Sequence, residues 1–135
     1  MRRLTGLLSA LAHWAPPLAE AEWAPGFVFP LLRVFPHDDV LALEAATTLL
    51  CCWATPWFAC FPQPPAPTLM AAQALLAAAD PRLSEHLSRI GAGPVLWAWP
   101  LLKAMLTPVL RRAVWLRLMD GLVAAAAAHR LALLA

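Results

Sequence analysis

Leu4, Leu7, Leu8 and Leu11 fall three and four residues apart, the spacing that lines one face of an α-helix, and Pro16-Pro17 then withhold the amides needed to extend it. A second apolar run opens near Pro25-Gly26 and continues through Phe35, with Pro30 accommodated if it lies in the first turn. In "PHDD", Asp38 or Asp39 can accept from the free amides of a third helix, whose Val40, Leu43, Ala46, Thr47 and Leu50 would share one stripe. Thr55-Pro56 repeats that cap-then-proline signature ahead of the short turn "PWFACF". Residues 62 to 67, "PQPPAP", read as a stiff extended connector. The spacing then predicts a helix from Thr68 to Ala79, and another begun by Asp80-Pro81 and ended by "GAG" at 91 to 93. Pro100 can open a helix over Leu101 to Leu106, and Thr107-Pro108 turns the chain into the last one. There Val114, Trp115, Leu118 and Leu122 share a face, while Arg112 and Arg117 lie off it and Asp120 is a local ion-pair partner for Arg117. "AAAAA" at 124 to 128 is helix-compatible low complexity rather than a linker. Strand-like alternation is almost absent, so the pattern predicts a single all-α domain.

Composition sharpens this picture. Apolar residues make up 61% of the 135 and charged residues 13%, against about 45–50% and about 25% in ordinary globular chains. Much of the excess is alanine, a helix former that is only weakly apolar. The net charge of +2 is scattered, with no basic run beyond the pairs Arg2-Arg3 and Arg111-Arg112, so no nucleic-acid footprint is present.

The apolar excess raises the question of a membrane. Ala45 to Phe61 carries no charge and has the minimum length for a span, which leaves a small helical membrane protein as an alternative. Pro56 interrupts that run and prolines 62, 64, 65 and 67 follow closely, so a buried helix is the preferred reading and membrane insertion is not expected. Arg2-Arg3 and Leu4 to Ala12 imitate a signal peptide, but His13-Trp14-Ala15-Pro16-Pro17 makes a poor cleavage site. Cys51, Cys52 and Cys60 lack a partner pair at metal-ligand spacing and are expected as buried, reduced thiols in a cytoplasmic setting.

Catalytic signatures are sparse. His13, His37, His86 and His129 have no nucleophile or paired carboxylate in a local motif. His37-Asp38-Asp39 reads as a solvated helix start, and Ser84-Glu85-His86 as an ordinary polar face. No glycine-rich phosphate loop is present, and no cofactor is expected.

The order "WPLLKAMLT" followed by "VWLRLMD" resembles the C-terminal part of the TBC domain, the all-helical domain of Rab GTPase-activating proteins. Trp99, followed by Pro100, takes the place of the tryptophan that opens one family helix. Trp115 lies within the hydrophobic helix that follows, and Met119-Asp120 stands where that family helix ends in Trp-Asp. The resemblance runs roughly from Leu4 to Val123. "LSALAHW", "FPHDDVLALEAATTLLCCW", "FPQPP" and "AWPLL" look most like a divergent branch that carries WD repeats ahead of its TBC region and is associated with centriolar satellites.

Such domains accelerate GTP hydrolysis with an arginine that meets charge on the transferred phosphoryl group and a glutamine that orients the attacking water. The family's arginine motif, Ile-x-x-Asp-x-x-Arg, belongs to the N-terminal part of the domain, ahead of Met1. Residues 1–135 are therefore expected to be a partial TBC domain, the C-terminal portion. The glutamine motif, Tyr-x-Gln-Gly, falls on Trp23-Ala24-Pro25-Gly26, with Pro25 at the glutamine position. Proline has no side-chain donor or acceptor. The resemblance thus implies an inactive interaction scaffold for a protein partner, a Rab-type GTPase or a centriolar or ciliary protein, in the cytoplasm, at the centrosome or at the cilium base. Trp23, Pro25 and Gly26 are the candidate GTPase-binding positions. The alternative within the family is an active GTPase activator that uses upstream residues.

Overall fold

A computed structural model describes the backbone of residues 2–132 and the side chains of residues 2–125. It is helical throughout, with no strand among the described residues. Helix α1 (Arg2–Trp14) buries Leu7 and Leu11, with Leu4 and Leu8 half-buried beside them, and a 3-10 turn at Pro16–Ala19 follows. Helix α2 (Ala24–Val34) packs across α1 with Phe27, Val28 and Leu31 at the centre of the core. Helix α3 (Asp39–Cys52) completes this three-helix unit. Arg3 ties the three together: its guanidinium donates to Asp39 Oδ1 at 2.7 Å and to the Phe35 carbonyl at 2.8 Å.

The remaining elements are laid around that unit. Helix α4 (Thr55–Cys60) supplies buried Trp57, α5 (Ala66–Ala79) buries only Leu69, and α6 (Pro81–Arg89) buries nothing. Short helices α7 (Pro94–Trp97) and α8 (Trp99–Lys103) bring the chain back to α2, and α9 (Arg112–Ala132) lies over the core through Trp115 and Met119. No helix among the described residues is long and apolar enough to cross a membrane. The uncharged run from Ala45 to Phe61 is divided between α3 and α4 and contributes Ala46, Leu49, Leu50, Ala54 and Trp57 to the core.

Several expectations are corrected. Pro30 lies inside α2, beyond its first turn. The missing amide bond and ring contact cost about 3 kcal/mol, offset by the apolar burial of Phe27, Val28, Leu31 and Leu32 around it. In α3 the inward stripe is Ala42, Ala46, Leu49 and Leu50, and Val40 points outward at 68% exposure. Asp38 is the cap, accepting from Leu41 N at 2.8 Å, which leaves Asp39 for Arg3. Thr55 is not a cap for α4; its hydroxyl turns back to donate to the Cys51 carbonyl at 2.6 Å. The connector is shorter than expected, because Ala66 and Pro67 already belong to α5.

The C-terminal part differs more. Helix α8 stops at Lys103 and not at Leu106, because Met105 and Leu106 adopt left-handed φ values of 52° and 60°. The Leu106 amide bonds to the Leu101 carbonyl and the Met105 amide to that of Leu102, the paired hydrogen bonds of a Schellman stop. On α9, Trp115 and Met119 face inward, whereas Val114 is exposed. Arg117 and Asp120 form no ion pair. The cysteines carry free thiols but are not buried: Cys51 is exposed, and Cys52 and Cys60 are half-exposed.

Candidate functional site

Trp23 precedes α2, and its carbonyl accepts from the Phe27 amide at 3.1 Å, which begins the helix. Its indole is driven inward, where it meets Trp57 edge-on with ring centroids 5.1 Å apart at 83°. Phe27 and Phe58 flank it at 5.8 and 5.9 Å. Trp57 in turn meets Trp99 at 5.1 Å and 80°. Edge-to-face contacts of this kind stabilise beyond simple burial, by about 0.5–1.5 kcal/mol each. Trp23 and Trp99, singled out from distant parts of the sequence, are thus joined through Trp57, a residue that the sequence did not single out. The only local sign of its role is an aromatic residue directly after a helix-starting proline.

The cluster fixes the backbone that carries the candidate finger position. Trp23 is buried, whereas Pro25, in the first turn of α2, is exposed. Its missing amide hydrogen is harmless there, since the first amides of a helix have no partner within it. Gly26 is also exposed, and a Cβ at that position would sit 3.5 Å from the Lys103 carbonyl, an ordinary contact. The first turn of α2 therefore rests against the end of α8, and space alone does not require glycine. Pro25 also borders a shallow apolar recess of about 380 Å³ between α1 and α2. Position 25 presents a pyrrolidine ring to this surface, with no side-chain donor or acceptor.

The other residues taken from the resemblance lie apart from this surface. Trp115 is buried and donates its indole N–H to the Met105 carbonyl at 2.7 Å, pinning α9 to the turn after α8. Pro100 is exposed in the first turn of α8, and Asp120 is exposed on α9. The polar clusters are engaged structurally. Asp38 and Asp39 cap and pair as described, Glu85 pairs with Arg89 at 3.0 Å, and His13, His37 and His86 are exposed. The side chain of His129 lies outside the described residues. Among the described residues no three His, Cys, Asp or Glu side chains group so as to hold a metal ion.

No family model matches the chain. No solved structure matches it. Curated relatives do match along most of its length. The proteins named TBC1 domain family member 31 from Oryzias latipes, Xenopus tropicalis and Homo sapiens are 38%, 36% and 34% identical to it, each over 90% of this chain. The chain spans 11% of the length of each of these relatives.

Proposed function

Because this chain belongs to the TBC-domain family, we propose that it is a Rab-GAP-like helical module that binds a protein partner without accelerating GTP hydrolysis. The observation that carries the reading is Pro25, exposed in the first turn of α2 at the position where the resemblance calls for glutamine. A partner GTPase docked over α1 and α2 would meet a proline ring, Gly26 and apolar wall, with no amide to hold the attacking water. Binding that does not strengthen in the transition state gives no rate enhancement. The partner class is a Rab-type small GTPase or a centriolar or ciliary protein, and the working location is the cytoplasm close to the centrosome or cilium base. Co-localisation of the tagged chain with a centriolar-satellite marker tests the location.

Single-turnover GTP hydrolysis by a set of Rab proteins tests the function, with this chain and its Pro25→Gln variant each in excess. Neither should raise the rate appreciably, since catalytic groups that act together recover little when only one is restored. Clear acceleration by the unmodified chain would show that the active reading is the correct one.

A further inference from the structure

A groove separate from the Pro25 surface lies between α3 and α9 and is bordered by the C-terminal end of α2, about 14 Å along that helix from Pro25. It has a volume of about 560 Å³. Leu31, Leu49, Trp115 and Met119 form its floor. Leu41 and Val123, 41% and 42% exposed, form its lips. Among the described residues the charges that line it are all of one sign, Glu44 from α3 and Asp120 from α9, with no lysine, arginine or histidine. Neither carboxylate takes part in an ion pair among the described residues.

We propose that this groove docks an amphipathic helix of a partner protein that carries lysine or arginine beside its apolar stripe. Three features set the occupant. The floor is apolar and concave, which suits convex side chains at i, i+3, i+4 and i+7 of a helix. The groove follows α9 from Trp115 to Val123, about 12 Å at 1.5 Å per residue, so it takes about two turns of helix. The two uncompensated carboxylates favour cations on either side of the stripe and disfavour an acidic peptide or an anionic lipid surface. A second copy of this chain fits badly: two acidic grooves face to face would leave both floors unfilled and bring like charges together.

The test uses two fluorescein-labelled helical peptides with the same leucine stripe, one flanked by lysines and the other by glutamates, titrated with the full chain and followed by anisotropy. Each exposed ion pair is worth roughly a factor of two, so the lysine peptide should bind about four-fold more tightly at low ionic strength. Raised salt should bring the two affinities together. The exposed pair of changes Glu44→Lys and Asp120→Lys should invert the preference. Ala45→Trp, which fills the groove from α3, should weaken both peptides at least ten-fold while the helical circular dichroism is unchanged. Equal binding of the two peptides by the unmodified chain, or unaltered binding after Ala45→Trp, would overturn the proposal. So would self-association of the chain that the lysine peptide does not disperse.

Discussion

Two buried tryptophans differ in one atom's surroundings, and the difference predicts opposite responses to the same substitution. Trp115, 5% exposed, donates its indole N–H to the Met105 carbonyl at 2.7 Å. Trp57, 6% exposed, has a buried indole N–H with no acceptor among the described residues. Replacing either by phenylalanine removes roughly 40 Å² of buried aromatic surface, about 1 kcal/mol at ~25 cal/mol per Å². At Trp115 the change also deletes a hydrogen bond and strands the Met105 carbonyl, a further ~1–3 kcal/mol. At Trp57 it relieves a desolvated donor, a gain of ~1–3 kcal/mol that offsets the lost surface. Trp115→Phe should therefore lose about 3 kcal/mol and Trp57→Phe should gain about 0–2 kcal/mol, a gap of at least ~2 kcal/mol. Urea unfolding followed by far-ultraviolet circular dichroism measures this without relying on tryptophan emission, provided the m-values agree. Equal losses for the two variants would refute the reasoning, because they would mean that the Trp57 N–H is satisfied in solution.

Asp38→Ala should cost about 1 kcal/mol by removing the cap bond to the Leu41 amide, and Asp38→Asn should restore most of it; the same urea titration reads both. Gly91, at φ +74°, ends α6, and Gly91→Ala should destabilise that end by about 1 kcal/mol. Because α6 buries nothing, the loss should appear as faster amide exchange within 81–89, with the global unfolding midpoint nearly unchanged. Exposed Cys51 should be alkylated by iodoacetamide ahead of half-exposed Cys52 and Cys60, as read by peptide mass mapping.

What the sequence revealed about the fold depended on whether a signal was local. Asp38, Asp80 and Gly91 act within three or four residues of themselves, and each does what its type and position imply: the aspartates cap at 2.8 and 3.0 Å, and the glycine takes the left-handed φ. The same stop at the end of α8 was hidden because methionine, not glycine, occupies the left-handed position. Met105 tolerates that conformation because its side chain is buried and its carbonyl receives the Trp115 indole, contacts made ten residues further on. The inward faces of α3 and α9 were displaced for a related reason. Spacing identifies a stripe, but the neighbouring helices decide that Ala42 and Met119 lie inside while Val40 and Val114 lie outside.

The candidate site was legible as residue types and not as an arrangement. Trp23 and Trp99 stood out only through the resemblance, and nothing in spacing links either to Trp57, which joins them. That junction bears on how catalysis and fold can be uncoupled. Trp23 is held by three aromatic rings at 5.1 to 5.9 Å, and its carbonyl starts α2. The turn that follows is therefore set by Trp23 and by the rest of Gly26 against α8, whatever side chain stands at position 25. Pro25 meets solvent and takes no part in the core. A change there alters the exposed surface without disturbing the helix that presents it, so, on the proposed function, a chain of this design can carry proline at the position and still keep the surface on which a partner would rest.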